Sequence, residues 1–312
     1  RKNASRGNVM GEIAAKAASL ILIIVIGYVI KRIGWVNAED FPKFSKIVLR
    51  ITLPCALITS FNTFDITYNL LFLTAIGLIA NLVLQITGYL VNQRKGGIAQ
   101  AFGIINLGSY NVGAFAMPYI AGLMGPQSII FASLFDVGNS FGAAGIGYGW
   151  SRSVADEKQK TTLGGFLKLM FLSPLFDTYL ILLLMRLLGL QLPDEVITFT
   201  STVGGANTFL AMLMIGIGLE LGLDAHRFKL AFKYLAIRYG FSLIFSILTV
   251  LFLPVSMVVK TILCMLFFSP IASMATGFTD EAGGDVETSA FMNSVSILIG
   301  IFALPLVLAV MG

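Results

Sequence analysis

The chain has 312 residues, 57% of them hydrophobic and only 12% charged, with a mean hydropathy of +0.88. A soluble domain carries about 25% charged residues, so this composition excludes a water-soluble protein and points to an integral membrane one. The formal charge of +5 does not suggest a nucleic-acid partner, because the basic residues are expected in short loops between apolar runs.

Apolar runs of about 20 residues indicate spanning helices rather than a β-barrel. Ten can be marked in chain order, near 14–33, 42–61, 68–91, 98–124, 126–150, 164–190, 195–221, 229–253, 256–281 and 286–311. Residues 1–12 are polar and no small-residue cleavage site follows the first run, so no cleaved signal peptide is expected. The first run, SLILIIVIGYVI, closes on Lys31-Arg32, and the second carries Pro54 after Lys43, Lys46 and Arg50. The fourth is interrupted at its centre by Gly108-Ser109-Tyr110-Asn111-Val112-Gly113, followed by Pro118, which is poor material for an unbroken helix. Lipid cannot satisfy a broken backbone, so such a break survives only where protein or a watery cavity covers it. The fifth run holds Asp136, with Asn139 on the same helical face. Acids inside a membrane mark coupling sites or structural pins. The polar connection 151–162, SRSVADEKQKTT, divides the chain into two halves, 1–152 and 160–312. Asp177, beside Pro174 in the sixth run, reads as a structural residue, and Asn81, Gln85 and Asn207 as candidates to line the scaffold side of a cavity. The ninth run repeats the features of the fourth, with Ser269-Pro270, Ser273, Thr276 and Gly277 in its middle. Cys55 and Cys264 fall in apolar runs and read as free buried thiols; with His226 as the single histidine, no metal cluster and no cofactor is expected.

Five spans in each half make the second half insert upside down relative to the first. Matching interrupted helices in an inverted repeat are characteristic of secondary transporters. Of the 21 Lys and Arg residues, fifteen fall in or beside the odd-numbered connections, Arg238 counted among them, and the even ones hold only Arg186 and Lys260. By the positive-inside rule both termini then lie outside.

The stretch GYVIKRIGWVNAEDFPKFSKIVLRITLPCALI resembles the auxin efflux carrier family in its bacterial permease branch. So do Asn111-x-Gly113-x4-Pro118, FDVGN at 135–139 and LIGIFALP at 298–305. The resemblance runs over essentially the whole chain. It implies an all-α, ten-helix fold related to the bile-acid:sodium symporters. In that fold spans 1, 2, 6 and 7 form a scaffold, spans 3–5 and 8–10 a transport domain, and the broken spans 4 and 9 cross. It further implies an elevator motion, a bacterial inner-membrane location and, as one arrangement, a homodimer through the scaffold helices. The bile-acid symporters carry an acidic sodium ligand at the break of their ninth helix. Here no acid lies between Lys260 and Asp280, which argues against sodium coupling by that arrangement.

A broken helix leaves bare carbonyls at one end and bare N–H groups at the other. Pro118 and Pro270 are expected to begin or stabilise the second half-helices, whose positive ends suit a carboxylate. The candidate substrate-binding residues are Ser109, Tyr110, Asn111, Gly113, Pro118, Ser269, Pro270, Ser273 and Thr276. Asp136, Asn139 and Asn293 are the candidates for coupling to H⁺ or Na⁺. Spans four and nine contain no Lys or Arg apart from Lys260 at an outer end, so affinity is expected from backbone dipoles rather than a fixed cation. The expected function is a carrier of small organic anions. The alternative is a cation/proton antiporter, which typically needs adjacent acids where Asp136 has none. No catalytic pair or metalloprotease motif suggests an enzyme. In a background without Cys55 and Cys264, single cysteines at Ser153 and Gln127 should label from opposite sides of the membrane, with Ser153→Cys silent to an impermeant reagent in intact cells. Labelling of Ser153→Cys from outside would reverse the topology.

Overall fold

The computed structural model describes residues 2–62, 70–156, 164–165, 171, 174–219 and 225–312. The polar connection from 157, the start of the sixth expected span and the stretches 63–69 and 220–224 lie outside these residues. The described residues form helices α1 (Lys2–Arg32), α2 (Phe41–Ile47), α3 (Leu53–Asn62), α4 (Phe72–Val91), α5 (Gly97–Leu107), α6 (Met117–Met124), α7 (Ser128–Ser140) and α8 (Tyr148–Ala155). They continue as α9 (Pro174–Leu187), α10 (Asp194–Gly205), α11 (Asn207–Gly218), α12 (Ala225–Phe252), α13 (Met257–Phe267), α14 (Met274–Glu281) and α15 (Val286–Met311), with no strand among them.

Seven stretches are long and apolar enough to cross a bilayer: Met10–Arg32, Ala38–Asn62, Phe72–Val91, Ser128–Ala155, Asp194–Gly218, Arg227–Phe252 and Val286–Met311. Large apolar side chains such as Leu22, Ile79, Ile247, Phe302 and Leu306 point outward on these helices, as an integral membrane protein requires. The remaining apolar runs are shorter. Residues 97–124 and 257–281 are each divided into two helices, and α9 is described only from Pro174.

Three widened, π-helical turns interrupt the helices, at Val48–Thr52, Val112–Ala116 and Phe141–Gly147. The first two precede a proline by two residues, Pro54 and Pro118 respectively. A proline donates no N–H and its ring crowds the carbonyl four residues back. A wider turn before it relieves that conflict without ending the helix.

Helix α1 packs along α11, and α3 packs against α9 and α10. A second group joins α4 to α5 and α7, and a third joins α12, α13 and α15, with α14 against α15 and α5. The α1–α11 contact is backbone to backbone. A Cβ on Gly27 would stand 2.2 Å from the Leu213 carbonyl oxygen, and one on Gly216 2.0 Å from that of Ile24. Close approach through small residues is the usual way helices associate in lipid. Gly216→Val should therefore destabilise by about 1–3 kcal/mol, the usual cost of overpacking, read as a lower unfolding midpoint in detergent. Gly240→Ala, where a Cβ meets nothing within 4 Å, should leave the midpoint unchanged.

Candidate functional site

The two interruptions lie against each other. Between α5 and the turn at Val112 the chain runs irregularly through 108–111, and between α13 and α14 it does so through 268–273. The Asn111 N–H donates to the Pro270 carbonyl at 2.9 Å, and the Ala272 N–H meets Ser109 Oγ at 3.4 Å. Asn111 Nδ2 donates to Ser273 Oγ at 2.9 Å. Asn111 holds the N-cap position of the turn that leads into α6 and Ser273 that of α14, neither side chain bonding back to its own helix, so the N-cap residues of both second half-helices are bonded to each other.

The remaining backbone groups are satisfied by side chains from neighbouring helices, as a buried break demands. On α7, Asn139 accepts the Tyr110 N–H at 3.1 Å and donates to the Tyr110 carbonyl at 3.0 Å, acting as a substitute peptide. On α15, Ser296 and Asn293 divide the same task at Ile271. Ser296 Oγ accepts its N–H at 3.0 Å, and Asn293 Nδ2 donates to its carbonyl at 2.9 Å. Gln85 Nε2 donates to the Gly108 carbonyl at 3.2 Å, and Ser242 Oγ to that of Phe267 at 2.5 Å. Ser109 and Ser269 bond back to Ile105 and Leu266 at the ends of their own half-helices.

Two cavities open at this contact. The larger, about 410 Å³, is lined by Arg50, Tyr110, Asn111, Gly113, Asp136, Asn139 and Ser273 among others. The smaller, about 160 Å³, is lined by Asn111, Ser273, Thr276 and Asn293 together with Phe41 and Ala290. Asn111 and Ser273 belong to both. Asp136 is buried on the wall of the larger cavity, its two oxygens accepting from Asn139 Nδ2 at 2.8 Å and from Tyr179 Oη at 2.9 Å. Tyr179, on α9, carried no signal in the sequence beyond a tyrosine in an apolar run.

Several expectations are corrected by this geometry. Pro118 stands in the first turn of α6, where a proline is expected, its carbonyl accepting from Thr208 Oγ1 at 3.2 Å, whereas Pro270 sits inside the irregular segment and begins no half-helix. Asn81 and Gln85 line neither of these two cavities. They are buried behind the break, where Asn81 Nδ2 donates to Asn139 Oδ1 at 2.6 Å and Gln85 Nε2 to Asn81 Oδ1 at 2.9 Å. Asn207 accepts from Thr52 at 2.9 Å and ties α11 to the turn between α2 and α3. The largest correction concerns charge. Arg238, counted above as a helix-end cation, is fully buried midway along α12. Its Nη1 donates to the Leu107 carbonyl at 2.6 Å, and Nη2 to those of Ser269 and Pro270 at 3.0 and 3.1 Å. A fixed cation does stand at the contact, supplied by a third helix. Its place at the centre of an apolar run was the available signal. Arg50, likewise sorted as a helix-end charge, is exposed on the wall of the larger cavity. No cluster of potential metal ligands occurs among the described residues.

No family model matches the chain. Over 213 residues it is 22% identical to a protein of Methanothermobacter thermautotrophicus named as an uncharacterized transporter, a stretch covering 67% of this chain and 68% of that protein.

Asn139 serves both polar groups of Tyr110, whereas Asn293 shares Ile271 with Ser296. Leaving a buried backbone group unpaired costs about 1–3 kcal/mol. Asn139→Ala should therefore lower the unfolding midpoint in detergent more than Asn293→Ala does, and equal midpoints would show that water replaces the Asn139 amide.

Proposed function

We propose that the chain is a secondary transporter or facilitative carrier of small organic anions, working by alternating access. The observation that carries this reading is the bonded pair Asn111–Ser273, which stands at the N-terminal ends of two half-helices and borders both cavities. Helix N-termini favour negative charge, and at the same contact the carbonyl ends are occupied by Arg238, Gln85 and Ser242. Arg50 adds a positive charge to the wall of the larger cavity. The likeness to a protein named as a transporter supports the class, and the membrane-length helices support the setting.

In this reading the chain is a ten-span 5+5 inverted repeat in a bacterial inner membrane, both termini outside. The paired support of Tyr110 by α7 and of Ile271 by α15 favours a repeat. Packing of α1 with α11 and of α3 with α9 and α10 suits a scaffold against which the other helices move in elevator fashion, with a homodimer through that scaffold as a further possibility to test. Auxin-like acids and dicarboxylates are the substrate candidates. Asp136, beside the binding contact, is the group through which H⁺ or Na⁺ would couple.

Losing a hydrogen bond to a charged group costs about 1.5–3 kcal/mol, so Asn111→Ala should weaken the apparent affinity for a transported carboxylate by roughly 10- to 150-fold. Neutral amide analogues should bind poorly to the wild type. Equal binding of acid and amide, or normal transport by Asn111→Ala, would refute an anion site at this contact. For coupling, Asp136→Asn in proteoliposomes should abolish accumulation driven by a pH or sodium gradient while partly sparing substrate binding. Unchanged gradient dependence would assign Asp136 a structural role.

A further inference from the structure

Arg238 reaches both breaks at once. Leu107 is the last residue of α5, and Ser269 and Pro270 lie two and three residues past the end of α13, so its three carbonyl partners stand at the C-terminal end of one half-helix and just beyond that of the other. Its guanidinium lies 4.7 Å from the centre of the Tyr110 ring, itself part of the first break. Among the described residues no carboxylate stands within ion-pair distance of it. A fully buried cation needs a source of negative potential. Two helix C-termini supply one, at about −0.5 charge each, so together they match a single positive charge. The planar fork of donors is suited to this task as an ammonium is not, because it serves separate acceptors in fixed directions.

We propose that Arg238 is a positioning residue of the site. It locks the two breaks in one register, and it cancels the carbonyl ends so that the N-terminal ends at Asn111 and Ser273 set the potential in the cavities. The second part rests on the organic-anion reading, and the first does not.

The test uses the full chain in lipid nanodiscs as wild type, Arg238→Gln and Arg238→Lys. Amide hydrogen exchange is followed over 107–112 and 268–275, and binding is measured for phenylacetate and its neutral counterpart phenylacetamide. In Arg238→Gln, exchange should rise in both segments together. Phenylacetate should bind about tenfold more weakly or worse, the scale of one lost charge-assisted hydrogen bond, with phenylacetamide unaffected. Arg238→Lys keeps the charge without the fork, so it should retain the preference for the acid while exchange still rises in both segments. A rise confined to one segment, or to α12, overturns the register role. An acid-to-amide ratio in Arg238→Gln equal to that of a wild type that discriminates overturns the electrostatic role. If Arg238→Gln does not fold, Arg238→Lys decides alone: acid preference kept with faster exchange supports the proposal, and acid preference lost despite the retained charge refutes it. A wild type that binds acid and amide alike defeats the organic-anion reading instead, and the exchange data then still decide whether Arg238 joins the breaks.

Discussion

A membrane interior offers no solvent to an exposed peptide group, and that constraint organises the centre of this protein. Two segments of the chain depart from helical geometry side by side, and each N–H or C=O freed by the departure must be met by something else. Much of the polar content of the core is explained by that demand. Asn139, Gln85, Arg238, Ser242, Asn293 and Ser296 come from four helices, α4, α7, α12 and α15, and converge on the segments 107–111 and 267–272. The helices in turn hold their places through glycine contacts and widened turns that admit proline. The breaks are therefore among the most heavily supported parts of the fold.

The support is not symmetric, and the asymmetry bears on mechanism. Asn139 on α7 and Asn293 on α15 each hold the carbonyl of an irregular residue. Three residues before Asn139 stands Asp136, whereas three before Asn293 stands Ala290, on the wall of the smaller cavity. Only the larger cavity thus combines an acid with Arg50 and the helix N-terminal ends. The smaller cavity, lined by Asn111, Ser273, Thr276 and Asn293, offers hydrogen bonding without an ionisable group.

Much of this was legible from residues alone. The runs that became α1, α4, α12 and α15 announce themselves by length and hydropathy. The breaks in the fourth and ninth runs follow from glycine, asparagine, serine and proline gathered where a helix should be continuous. Asp136 and Asn139 fall on one face because 3.6 residues make a turn. What the sequence concealed was partnership across the chain. Pro270 looked like the start of a half-helix, as Pro118 is, because a one-dimensional reading cannot tell a proline inside an irregular segment from one in the first turn after it. Asn81 and Gln85 looked like cavity residues, since polar side chains in an apolar run carry no label for which helix they face. Arg238 was sorted with Lys229 and Lys233 because it follows them in sequence, although its carbonyl partners lie 131, 31 and 32 residues away.

The central claim is that an organic anion rests between the two helix N-terminal ends. Its most direct test is to locate a carboxylate carrying an unreactive aryl bromide, such as 4-bromophenylacetate, by anomalous scattering from crystals of the full chain. The account predicts bromine density inside the larger cavity, with the carboxylate against Asn111 and Ser273, and its loss in Asn111→Ala. Density confined to the outer, lipid-facing surface, or unchanged by that substitution, would contradict it.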